Sequence, residues 1–138
     1  MATILCIDDD PRILELHRAV LAGSGYTVLT ALDGLTGIAL TRAHSIDAIV
    51  LDFTMPGMDG NAVAEILMKE QPELPVAVCS GSLDDIPEAL KWYADALLEK
   101  TASPEALIST IERLTNTGIS RKKAVARRTI TIGEPLVA

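Results

Sequence analysis

TILCIDDDPRILELHRAVLAGSG, residues 3–25, passes from one structural period to another within a few positions. Thr3 to Asp8 is a short apolar run of strand length, halted by three consecutive aspartates and Pro11. Pro11 suits the first position of a helix, where its missing N–H costs nothing, and Asp10 before it suits the N-cap. Ile13, Leu14, His17, Val20 and Leu21 then recur at helical spacing until Gly23 and Gly25 break the pattern. The stretch reads as strand, acidic loop, helix.

The same unit repeats outward from it. Tyr26 to Ala31 reads as a second strand, and Asp33 with Gly34 opens a helix in which Leu35, Ile38, Ala39 and Arg42 alternate in period 3.6 with Thr and polar positions. Ala48 to Asp52 is a third strand that again ends in a carboxylate, followed by the Pro- and Gly-bearing loop DFTMPGMDG. Asn61 to Glu70 predicts a helix with Val63, Ile66 and Leu67 along one side, closed by Pro72 and Pro75. Val76 to Ser80, a helix over Ile86 to Trp92, and Ala96 to Glu99 continue the alternation. The fifth helix has Ser103 as cap, Pro104 in its first turn, Glu105 to complement the dipole, an inner stripe of Leu107, Ile108, Ile111 and Leu114, and Gly118 as its stop.

Five such repeats, with strands of near-continuous Ile, Val, Leu and Ala, predict an α/β protein with a doubly wound parallel sheet covered on both faces. Sheets of this class bind ligands beyond the carboxyl ends of the strands, where the winding reverses. Asp8 and Asp9 follow strand one, Asp52 strand three, Ser80 strand four and Lys100 strand five, so all of them fall on that rim.

Composition bounds the function classes. A chain of 138 residues, 49% hydrophobic and 22% charged, has room for one domain with a substantial core. Its start lacks the flanks of a signal peptide and no run reaches membrane-spanning length, so a soluble, cytoplasmic protein is expected. The net charge of −7 is unevenly spread. Residues 119–138 hold Arg121, Lys122, Lys123, Arg127 and Arg128 against Glu134, a net +4, which leaves −11 on residues 1–118. Such a body repels nucleic acid and suits cations or basic partners. Cys6 and Cys79 lie inside apolar runs and are expected to pack as small hydrophobes, with no disulfide framework.

Carboxylates gathered at one sheet edge oppose each other's ionisation, a cost that a bound cation removes. Mg²⁺ is the natural candidate, since it prefers hard oxygen ligands and is commonly held by one or two carboxylates with phosphoryl oxygens. Asp8, Asp9 and Asp52 would supply the carboxylates. Asp52 could then act as a nucleophile toward a phosphoryl donor, with the Ser80 hydroxyl and the Lys100 ammonium placed to stabilise the transferring group.

ILCIDDDP, VLDFTMPGMDG, VCSGS and LLEK, in this order and spacing, resemble the receiver domains of two-component response regulators over residues 3 to about 117. The resemblance implies the flavodoxin-like fold with strand order 2-1-3-4-5, and a receiver domain over residues 1–118. It implies that Asp52 accepts a phosphoryl group from a histidine kinase or phosphotransfer protein. Asp8, Asp9, Asp52 and the backbone carbonyl of Thr54 would hold Mg²⁺. Ser80 and Lys100 would meet the phosphoryl group and switch a protein-binding face toward a downstream partner. Two departures are visible: Thr101 stands where the family usually has a proline, often in cis, and Leu97 where an aromatic is common.

Other roles weigh less. Asp10 is expected to cap rather than to ligate, His17 and His44 to be ordinary packing or surface residues, and Met55 and Met58 to pack the loop. An aspartyl-phosphate phosphohydrolase of the haloacid-dehalogenase type would carry its nucleophile after strand one, and a conventional turnover enzyme is not expected. A phosphorylation-independent scaffold of the same fold would be expected to lack a site residue, and here all five positions are filled. With few residues after Gly118, a stand-alone receiver is expected. Its basic tail, 119–138, could be loose, add an edge strand through Thr129 to Ile132, lie on the acidic body, or support a homodimer.

Overall fold

The computed structural model describes residues 2–55 and 57–115. Five strands, β1 (Thr3–Ile7), β2 (Thr27–Ala31), β3 (Ala48–Asp52), β4 (Val76–Ser80) and β5 (Ala96–Glu99), form one parallel sheet in the order β2-β1-β3-β4-β5. Between and after them run α1 (Pro11–Gly23), α2 (Gly34–Ala43), α3 (Gly60–Glu70), α4 (Glu88–Tyr93) and α5 (Pro104–Leu114). The doubly wound fold and strand order expected above are therefore present. β1 lies between β2 and β3, with Cys6 opposite Thr30 on one side and Val50 on the other. Asp52 in turn pairs in register with Cys79, so the residues that end the central strands sit on a common rim.

Strand alternation sends neighbouring residues to opposite faces, and each face has its own core. Ile4, Cys6, Val50, Ala77, Cys79 and Leu98 pack with Leu14 and Leu21 of α1 and Leu107, Ile111 and Leu114 of α5. Leu5, Ile7, Ile49, Leu51 and Val78 pack with Ile38 of α2, Val63 and Leu67 of α3, and Leu90 and Tyr93 of α4. Burying both faces is why the strands read as continuous apolar runs. Both cysteines are buried free thiols, and burial pushes each up to about 12. They pack, as expected.

Helix starts follow local chemistry. Asp10, Asp33, Asp59 and Ser103 each accept a hydrogen bond from the backbone N–H two or three residues on: Arg12 (2.9 Å), Thr36 (2.7 Å), Ala62 (3.0 Å) and Ala106 (3.1 Å). Asp10 is thus a cap, as anticipated.

One expectation is corrected, and one helix face is settled by packing. α4 begins at Glu88, after a 3₁₀ turn at Leu83–Asp85, because a residue before proline is driven out of helical geometry and Ile86 precedes Pro87. Ile86 instead holds extended backbone and buries its side chain. In α2 the inner face is Gly34, Gly37, Ile38 and Thr41, while Leu35 is 67% exposed and Ala39 and Arg42 face out. A Cβ on Gly37 would stand 2.4 Å from Ile7 Cδ1, and one on Gly34 would stand 2.6 Å from Val63 Cγ2. The glycines let the helix settle close to β1 and α3, and this contact turns Leu35 outward. Gly118 and the tail, with the readings placed on them, lie outside the described residues.

Candidate functional site

At the carboxyl rim, β1 and β3 deliver two nearly inaccessible carboxylates, Asp8 and Asp52, which are 2% and 1% exposed. Asp8 leaves β1 with its N–H donated to the Ala31 carbonyl of β2 (3.1 Å), and its Oδ1 accepts from the Asp10 N–H (2.9 Å). Asp52 is the last residue of β3; its Oδ1 accepts from the Thr54 N–H (3.2 Å) and the Phe53 N–H beyond it bonds the Cys79 carbonyl (2.9 Å). The strand ladder is carried one residue past Asp52, which fixes its backbone.

Gly60, at the start of α3, is a part of this support that sequence reasoning missed. Its N–H donates to the Phe53 carbonyl (2.9 Å), and an added Cβ would stand 2.7 Å from Phe53 Cα and 2.9 Å from the Asp52 carbonyl oxygen. Backbone cannot withdraw as a side-chain tip can. The available signal was the Gly that follows Asp59 in MPGMDG.

Carboxylate oxygens of Asp8, Asp9 and Asp52 lie within 4.8 Å of one another, with Asp9 the exposed member. Lys100 arrives from the end of β5, anchored by its N–H on the Ser80 carbonyl (2.9 Å). Its Nζ stands 3.0 Å from Asp52 Oδ1 and 3.7 Å from Asp8 Oδ2. Asp52 Oδ2, wholly buried, has no hydrogen-bond partner. One oxygen is held and the other is unpaired.

The electrostatics follow from this placement. Burial pushes the Asp52 carboxyl up to about 6; the Lys100 ammonium opposes that and the Asp8 charge adds to it. Burial also pulls Lys100 down, yet the Asp52 hydrogen bond and the charges of Asp52, Asp8 and Asp9 outweigh it and hold the ammonium above its ordinary value. The lysine keeps 28% of its side chain in solvent, whereas Asp52 has none, so desolvation falls on the carboxylate.

Of the residues singled out from sequence, Asp8, Asp9, Asp52 and Lys100 converge. Ser80 ends β4 buried beside them, but its hydroxyl donates to the Ser82 carbonyl (2.8 Å) and accepts the Ser82 N–H (3.2 Å), so it is turned into its own loop. Thr54 lies in the β3–α3 loop, tied to Asp52 through its N–H. Met55 is buried and Met58 packs on the same core, as expected of loop-packing residues. Thr101 sits in a turn closed by the Ala102 N–H on the Glu99 carbonyl (2.9 Å), and Leu97 packs on the α4 side of the sheet. His44 caps the end of α2 and is exposed. His17 is half-buried in α1, where burial holds its ring below the ordinary value, Asp8 acts in the other direction and Lys100 adds to the burial.

The site suits a hard cation on chemical grounds. Asp8, Asp9 and Asp52 each offer a carboxylate oxygen to one small volume, Asp52 Oδ2 has no hydrogen-bond partner, and a single ammonium leaves the cluster negative. Among the described residues no helix is long and apolar enough to cross a membrane.

Comparison with known proteins matches residues 4–112 to the family described as the response regulator receiver domain. The transcriptional regulatory protein PrrA of Mycobacterium tuberculosis is 33% identical over 135 residues, spanning 94% of this chain and 56% of its own. The transcriptional regulatory protein GlrR of Escherichia coli is 32% identical over 113 residues, spanning 80% of this chain and 26% of its own. This chain therefore spans between a quarter and somewhat over half the length of these relatives. A response regulator receiver domain protein from Clostridium thermocellum superposes with TM-score 0.77 at 31% identity, covering 91% of this chain and 99% of that one. TrrA from Thermotoga maritima, solved in complex with Mg²⁺–BeF, superposes with TM-score 0.78 at 27% identity, covering 83% and 99%.

Proposed function

This chain belongs to the response regulator receiver domain family, the signalling modules of two-component systems, and from that premise we propose that it is a phosphorylatable switch with Asp52 as the acceptor. The observation that carries this reading is Asp52 itself: a buried carboxylate with one oxygen on Lys100 and Thr54 and the other unpaired, among Asp8 and Asp9.

Asp52 Oδ2 attacks phosphorus of a phosphohistidine in a kinase or phosphotransfer protein. An O–P bond forms as the N–P bond breaks, and the leaving imidazole keeps the electron pair and takes a proton. Asp8, Asp9, Asp52 and the Thr54 carbonyl would hold Mg²⁺, which would supply positive charge to the phosphoryl oxygens. Lys100, its Nζ 3.0 Å from Asp52 Oδ1, offers a second, compact positive charge. No separate base is needed, because the acceptor reacts as the anion. Attack of water on phosphorus later breaks the Asp52 O–P bond, releasing inorganic phosphate and restoring the carboxylate, so this is self-limited chemistry rather than turnover on outside substrates.

Ser80 supports the switching half of the proposal. Its hydroxyl is engaged with Ser82 in the present state, and a phosphoryl group on Asp52 offers it a stronger, charged acceptor. Leaving Ser82 repositions the loop that leads through Leu83–Asp85 into α4. With Leu97 in place of a ring, the change is read through that loop, on the face formed by α4, β5 and α5. We place the receiver over 1–118 in a cytoplasmic pathway, with a protein as output. The longer relative RpaA of Synechocystis is a DNA-binding regulator; in this chain, contact with nucleic acid would come from outside this acidic body.

The test is incubation with Mg²⁺ and acetyl phosphate followed by intact mass. Wild type is expected to gain about 80 Da, the mass of one phosphoryl ester, and Asp52→Asn to gain nothing. An equal gain on both, or none on wild type, removes the acceptor assignment.

A further inference from the structure

Behind Lys100, between α1 and α5, lies a small cavity of about 40 Å³, room for a single water. His17, Cys79, Glu99, Lys100, Ser103 and Leu107 are among its walls. The Nδ1 atom of His17 is fully buried and has no hydrogen-bond partner. Nδ1 thus depends on this cavity for a partner, and Lys100 forms part of the same wall.

We propose that His17 is a positioning residue for the phosphoryl site: its neutral ring closes the cavity behind Lys100 and keeps the ammonium seated on Asp52 and Asp8. This rests on the reading of Asp52 as acceptor. The charged and titratable groups that face the ring are Asp8 from β1, Cys79 from β4, and Glu99 and Lys100 from β5, while α5 presents none to the cavity. Cys79 is uncharged at neutral pH. Burial, the largest effect, holds His17 below its ordinary value; Asp8 favours the charged ring and Lys100 opposes it. The ring is therefore neutral when the site works. A proton taken up there makes a second cation that competes with Lys100, and with Mg²⁺, for the same carboxylates.

Linkage makes this measurable, since whatever Mg²⁺ does to the affinity of His17 for a proton, the proton does to the affinity for Mg²⁺. The full chain has two histidines, so imidazole NMR spectra hold two signals, with exposed His44 as reference. Saturating Mg²⁺ is expected to lower the titration midpoint of His17 by about half a unit, equivalent to roughly threefold weaker Mg²⁺ binding by the protonated chain. In acetyl phosphate labelling, His17→Leu is expected to react about tenfold more slowly. His17→Asn, which keeps a polar atom near the Nδ1 position, is expected to recover most of the rate.

Mg²⁺ binding seen by calorimetry with no movement of the His17 signal overturns the proposal, as does wild-type labelling in His17→Leu. Absence of any Mg²⁺ binding sinks the acceptor reading itself, which separates the two failures.

Discussion

Asp52 concentrates the physical tension of the molecule in one side chain. Its folded-state pKa, about 6, lies above the ordinary 3.8, so between these values the folded chain binds a proton that the unfolded chain has released. Stability therefore declines as pH rises through this window, and above it the full cost of the buried charge is present. Asp52→Asn removes that cost: we expect it to stabilise the protein by about 1–3 kcal/mol at pH 8 and by little near pH 4, measured by urea unfolding at both. A variant no more stable than wild type at pH 8 would show that Lys100 fully compensates the burial. Gly60 makes the opposite prediction. Gly60→Ala forces a methyl group into the backbone of Phe53 and Asp52, and is expected to cost about 2 kcal/mol or more and to slow acetyl phosphate labelling. Identity at this scale was legible in the sequence for Asp8, Asp9, Asp52 and Lys100, because strand ends bearing carboxylates or an amine are local features. Gly60 and His17 were not, since their roles depend on what packs against them.

The helices show how far local chemistry reaches. Asp10 and Ser103 were read as caps from the sequence and Asp59 was not; Asp59→Ala is expected to cost about 1 kcal/mol in thermal or urea unfolding. That cap starts α3, so the same variant is expected to weaken the support of the β3–α3 loop. α2 exceeded that reach. Hydropathy alone favours burying Leu35, yet the glycines at 34 and 37 allow so close an approach that they define the inner face. Gly37→Ala is expected to cost less than Gly60→Ala, because the opposing atom is the movable tip of Ile7 rather than backbone. α4 was misjudged for a different reason: the apolar spacing of Ile86 and Leu90 continues across Pro87, but the backbone restriction imposed by the proline overrides it.

Across the whole molecule, two cores on the two faces of one sheet hold a rim where negative charge exceeds positive. A divalent cation that binds this rim only in the folded state stabilises the fold by mass action. Mg²⁺ is accordingly expected to raise the melting temperature in a concentration-dependent way, chelator to reverse it, and Asp52→Asn to blunt it. An unchanged melting temperature across the titration would contradict the metal assignment. Sequence by itself determined the alternation of strands and helices, the two-sided burial of the sheet, and which residues end each strand, because period, caps and strand-end polarity are written within a few consecutive positions. Only the tertiary structure decided the face that α2 buries, the turn of the Ser80 hydroxyl toward Ser82, the unpaired oxygen of Asp52, and the approach of His17 to Lys100. Each of these is set by atoms distant in the chain competing for the same space or the same hydrogen bond.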